Sequence, residues 1–203
     1  MRLATRYHAP LPASTRPSEM APILVRAFAD VDHRLQTAWD GASAAQRDTR
    51  RRDGGWSLRE VLEHIALTNE GYLVPMTQLA DALVRSPRVA APWRATFVGK
   101  WLVRSLEMTI KMPAPRTIRP GPSPRPQVLE AVIETHHAVC TLVKRTAETD
   151  WGSVRMVSPF SRLVRPNFGD AVLAVLRHSE RHASQIEALL QELPSAPLRG
   201  TMD

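Results

Sequence analysis

From Asn167 to Pro194 apolar side chains recur at intervals of three and four. Ala171, Val172, Val175, Ala183, Ile186, Leu189, Leu190 and Leu193 fall on one stripe of a helix with 3.6 residues per turn, which predicts one long amphipathic helix over this stretch. The same periodicity appears three more times. Leu24, Phe28, Val31, Leu35 and Ala38 mark a helix that Ser18 is placed to cap and that runs to about Ala45, with Pro22 in its first turn, where a missing N–H does least harm. Leu58, Val61, Leu62, Ile65, Asn69 and Tyr72 mark a second helix. Ser57 and Glu60 form a capping box at its start, and Pro75 is a point at which it kinks or breaks short of Val84. Leu129, Val132, Ile133, His136, Cys140 and Val143 mark a third, from Gln127 to Glu148. A shorter pattern over Phe97–Ile110 places Phe97, Trp101, Leu102, Leu106 and Ile110 inward.

The connections carry their own signals. Residues 46–55 are polar and end in two glycines, and residues 86–96 are proline-punctuated. Residues 112–126, MPAPRTIRPGPSPRP, contain six prolines and read as an extended strap over the bundle. Residues 150–166 form a loop anchored by Trp151, Met156, Phe160 and Leu163. No segment reads as a convincing strand. The expected architecture is an all-α four-helix bundle spanning residues 18–194, with an extra short helix and a strap, flanked by a loose arm at 1–17 and a frayed tail at 195–203. A chain of 203 residues is long enough to bury one sizeable core.

Charge and cysteine usage narrow the function classes. The net charge is +7, and all but three of the cations (Lys100, Lys111, Lys144) are arginine. They are scattered apart from the run Arg50–Arg52, which has no interleaved aromatics and reads as a solvated loop, so nucleic acid is not an expected partner. One cysteine, Cys140, excludes an intrachain disulfide and sets a cytoplasmic expectation; it reads as a small buried hydrophobe. No window is apolar enough to span a membrane, and the first residues lack the apolar block of a secretory signal. Phosphate-binding glycine loops, paired cysteines and a G-x-S-x-G elbow are absent.

The chemistry-bearing pattern lies on the second and last helices. His178 and His182 are four apart and project from one face, His182 near the middle of the apolar stripe and His178 at its border. Two imidazoles at this spacing can hold one divalent metal, and His64 is available as a third ligand from another helix. Three neutral imidazoles leave a position open on the ion for water or substrate. The bland alternative is an i,i+4 histidine pair that serves only as surface or satisfied core. Gln185, on the same side as His182, can fix a ring or a bound water or be an ordinary surface glutamine. Asn69 and Tyr72 are substrate-contact or proton-donor candidates with core roles as the plainer reading. His136, central in its stripe, is a fourth ligand, a proton shuttle or a buried histidine bonded to a carbonyl, the last being favoured.

Two stretches resemble one family. GWSLREVLEHIALTNEGY, residues 55–72, is similar to the second-helix signature of the DinB/YfiT-like superfamily, and FGDAVLAVLRHSERHASQIEALL, residues 168–190, to its last-helix signature. KMPAPRTIRP resembles the proline-rich strap of one branch. The resemblance covers about residues 20–193. It implies an up-down-down-up bundle holding a divalent metal (zinc, nickel or manganese) on His64, His178 and His182. Characterised relatives transfer low-molecular-weight thiols such as bacillithiol and mycothiol, or isomerise maleylpyruvate with mycothiol, and dimers are frequent. The implied function is a metal-dependent transferase or hydrolase acting on a small molecule with a low-molecular-weight thiol or a metal-bound water. The alternative is a non-catalytic, stress-related bundle with a structural metal or none. Many members have no assigned reaction, so fold alone does not decide between them.

Overall fold

The structure, a computed structural model, describes residues 14–51, 54–85, 89–107 and 114–193. Helix α1 spans Pro17–Gly41, with Pro17 rather than Ser18 opening it: proline at the first helical position gives up an N–H that had no partner. The helix ends earlier than the periodicity implies. Ser43 and Gln46 make a capping box of their own and start a separate short helix, α2 (Ala44–Asp48). Gly54, at φ 77, takes a left-handed turn that favours glycine and leads the chain towards α3 (Leu58–Arg85).

The start of α3 follows its capping box. Glu60 N donates to Ser57 Oγ at 3.3 Å and Ser57 N to Glu60 Oε2 at 2.9 Å, and Arg50 pairs with the same carboxylate. Pro75 does not end the helix. It removes one backbone bond, while burial of Met76, Leu79, Ala80 and Leu83 beyond it holds the remaining turns. Helix α5 (Val128–Arg145) and helix α6 (Phe168–Glu192) occupy the expected stretches, α6 capped by Asn167 Oδ1 accepting from Asp170 N at 2.8 Å.

Cross-helix bonds reveal the directions of the four long helices. Asn69 meets Thr135 and Asp81 meets Arg145, so α3 and α5 run parallel. Asp32 meets His136 while Ser18 and Val25 share a groove with Lys144 and Ala147, so α1 runs against α5. Arg34 bonds Ser184 and Glu187, with Ala38 beside Leu190, so α1 and α6 run together. His64 meets His178 and His182 while Arg51, before α3, reaches Glu192; α3 therefore opposes α6. The arrangement is up-down-down-up, with α3 packed against α5 and α6, and α1 against the same two. Parallel α3 and α5 need a connection that returns along the bundle, and residues 86–127 supply it. No strand is present among the described residues, only isolated bridges such as Thr15 with Trp93.

Helix α4 (Phe97–Glu107) lies against α6, but not by the face its aromatic spacing implies. Phe97 is 84% and Trp101 52% exposed. The anchor is polar. Buried Asp170 accepts from Thr96 N at 3.0 Å and from Thr96 Oγ1 at 2.5 Å, and Thr96 Oγ1 caps Gly99 N at 3.1 Å. This brings Gly99 so close that a Cβ there would overlap the Asp170 carboxylate. With Gly99 and Val103 facing inward, Phe97 and Trp101, roughly opposite on the helix, must face outward. Ile110 and the side chains of Leu102 and Leu106 lie outside the described residues. Covered by α4 as well as by α1 and α3, the first half of α6 is buried on every side from Phe168 to Glu180. In the 150–166 loop Trp151 and Met156 are buried and Phe160 half-buried, but Leu163 is 94% exposed, at a tight turn where Val164 N bonds Ser161 O.

Candidate metal centre

His64 sits two turns into α3, and His178 and His182 face it from consecutive turns of antiparallel α6. All three are buried. His178 Nε2 lies 3.1 Å from His64 Nε2 and 3.1 Å from His182 Nε2. The three donor atoms lie within 4.8 Å of one another, and no carboxylate or thiolate joins them among the described residues.

The outer nitrogens set the tautomers. His64 Nδ1–H donates to Ile118 O at 2.7 Å, and His182 Nδ1–H to Gln185 Oε1 at 2.8 Å. Their Nε2 atoms therefore present lone pairs towards His178 Nε2, which has at most one proton and cannot bond both. Lone pairs converging on one point are what a cation requires. Two nitrogens each ~2.0–2.1 Å from one zinc ion stand roughly 3.0–3.4 Å apart, which the observed spacing fits. Burial is the largest cause pushing all three imidazoles down in pKa, His182 to about 3 and His178 well below its ordinary value. The positive charge of half-buried Arg181 lowers all three further. Unprotonated nitrogens at neutral pH are the form a metal needs.

The remaining candidates lie elsewhere or beside the cluster. His136 is fully buried but not part of it: Nδ1 meets Asp32 Oδ1 at 2.5 Å and Nε2 meets Ser179 Oγ at 2.9 Å. Its partners are a carboxylate and a hydroxyl rather than the expected carbonyl. Tyr72, two turns beyond His64, stacks edge-on to Phe160 at 5.5 Å beneath the 150–166 loop, where burial raises its phenol pKa. Asn69 is fully buried and donates to Thr135 Oγ1. Buried Cys140 has its thiol pushed up to about 11, which leaves it inert. Arg50 stays largely exposed while pairing with buried Glu60, and partly buried Arg51 pairs with Glu192; Arg52 lies outside the described residues.

Three contributors carry little sequence signal. Trp56 packs on the His64 ring at 4.8 Å. Ile118, in a 3₁₀ turn of the strap (Arg116–Ile118), is buried and gives its backbone carbonyl to His64. Arg125 fastens the strap by pairing with Glu63 and Glu70 of α3.

The family model of the DinB superfamily matches residues 27–186. The chain belongs to the DinB superfamily. Among solved structures, YfiT from Bacillus subtilis aligns over 94% of this DinB-superfamily chain and 97% of its own, with a TM-score of 0.57 and 18% identity. That protein is described as a probable metal-dependent hydrolase with an unusual four-helix bundle topology; at this identity the likeness speaks for the fold. No curated protein matches the chain.

Proposed function

We propose that this DinB-superfamily protein is a divalent-metal-dependent enzyme acting on a small molecule, with His64, His178 and His182 as ligands. The observation that carries the reading is the convergence of three buried histidine ring nitrogens without an acidic ligand. Bound there, a zinc, nickel or manganese ion would keep its full double charge, shift the pKa of a coordinated water or thiol towards neutrality and polarise an electrophile. The chain's own groups support that chemistry. Ile118 O and Gln185 Oε1 fix two ring tautomers, Trp56 covers one side of the site, and Arg181 adds positive charge that favours an anionic partner.

The reaction is hydrolysis or transfer of a low-molecular-weight thiol. YfiT's description supports the first and the sequence resemblance the second. A homodimer working in the cytoplasm completes the proposal. A non-catalytic bundle with a closed structural site is less well supported, since His136 is engaged by Asp32 and Ser179 and offers no fourth ligand.

Elemental analysis of protein purified without chelator should find on the order of one divalent ion per chain, as a single three-histidine site requires. His178→Ala should lose it while keeping its helical circular dichroism. A wild-type protein that binds none of zinc, nickel or manganese at micromolar concentration ends the reading. Parallel screens of thiols with electrophiles, and of ester and amide substrates, separate transferase from hydrolase.

A further inference from the structure

The three ligand rings are not held alike. His64 and His182 each give Nδ1–H to an oxygen, whereas His178 Nδ1 is buried without a partner. A second atom shares that condition: Asn69 Oδ1, on a side chain with no exposed surface. Asn69 Oδ1 is an acceptor, and His178 Nδ1 is a donor whenever its Nε2 offers a lone pair to the cluster. The orientation of the amide follows from its neighbours. Thr135 Oγ1 spends its proton on Val132 O at 2.7 Å, so it must accept from Asn69 Nδ2, at 3.0 Å, and Oδ1 is directed elsewhere.

The two atoms belong to one layer of the bundle. Asn69 bonds Thr135; the next residue, His136, bonds Ser179; and Ser179 adjoins His178. Helix α3 packs against both α5 and α6, which puts Asn69 and His178 on a packed pair of helices. Their leanings agree, since helical side chains tilt towards the N-terminus. On antiparallel helices this carries Asn69 back towards the His64 level, and His178 forward to meet it. Metal-ligating histidines almost always give their outer N–H to an acceptor, and two of these three already do.

We propose that Asn69 is the positioning residue of His178, its Oδ1 accepting the Nδ1–H of that ring directly or through one water when Nε2 holds the ion. The inference rests on the metal-centre reading. It assigns each ligand ring its own acceptor: a strap carbonyl, an amide one turn away on the same helix, and an amide from across the bundle.

Zinc affinity measured against a competing chromophoric chelator tests it, for the wild type, Asn69→Leu and Asn69→Asp. Asn69→Leu should bind zinc about 10–100-fold more weakly, the cost of losing an orienting partner, and Asn69→Asp, which keeps an acceptor, as tightly as wild type or more so. Imidazole ¹⁵N spectra of the zinc-loaded wild type should show three protected Nδ1–H groups, with that of His178 lost in Asn69→Leu. A folded Asn69→Leu with wild-type affinity overturns the inference. If that variant does not fold, the wild-type spectrum decides: a His178 Nδ1–H exchanging as freely as in the denatured chain overturns it equally. Failure of the wild type to bind zinc would instead remove the metal-centre reading.

Discussion

Acid should destabilise the metal-free protein through its clustered histidines, by an amount that can be worked out. In the unfolded chain an imidazole takes its proton near ~6.5. In the folded chain His182 does so only at about 3, because burial and the neighbouring His64 oppose the charge. Between those values the unfolded state binds more protons, so stability is complete above about pH 7 and falls as pH falls through this window. At pH 5 the loss from one such ring is about 2 kcal/mol. His178 shifts in the same direction and adds to this loss. The loss from the one ring alone is a sizeable share of the ~5–15 kcal/mol by which domains are stable. Urea unfolding followed by circular dichroism, in chelator at pH 5, 6, 7 and 8, gives the wild-type slope. His182→Leu removes one titrating ring and should flatten the pH 7-to-5 loss by about 2 kcal/mol. Equal pH dependence in wild type and variant would refute the reasoning.

Phe28, 1% exposed and stacked on His136 at 5.1 Å, anchors α1 to the core; Phe28→Ala should cost about 3–5 kcal/mol in urea unfolding, and a cost well below that would mean the cavity collapses. Gly99→Ala places a methyl in the space of the Asp170 carboxylate and should destabilise by about 1–3 kcal/mol in thermal unfolding, while an unchanged melting temperature would show that α4 can shift without penalty.

The bundle was legible because its four long helices bury most of the apolar stripe that their spacing marks, and because Ser57 with Glu60 announces one helix start in local sequence. His178 and His182 were legible as a pair for the same reason: an interval of four is a single turn. What resists sequence reading is long-range or belongs to the backbone. The carbonyl that orients His64 comes from Ile118, whose side chain carries no mark of the role. The partners of His136 lie 104 and 43 residues away, so its environment could be guessed only in kind. The inward face of α4 departs from its aromatic spacing because one glycine and one distant aspartate set it. Arg181 stands between His178 and His182 in sequence, yet its electrostatic reach becomes visible only when three rings gather beside it.

His64 and His178 are 114 residues apart along the chain. An ion shared between them would act as a removable staple across more than half the polypeptide. A covalent link closing a loop of ~100 residues removes about 4–5 kcal/mol of chain entropy from the unfolded state in the simplest treatment. A metal tie can act in the same way while remaining open to exchange. It would also set a timetable for synthesis: the grip would stay incomplete until His182 has left the ribosome, and a product cut short before α6 would keep only one of the three rings.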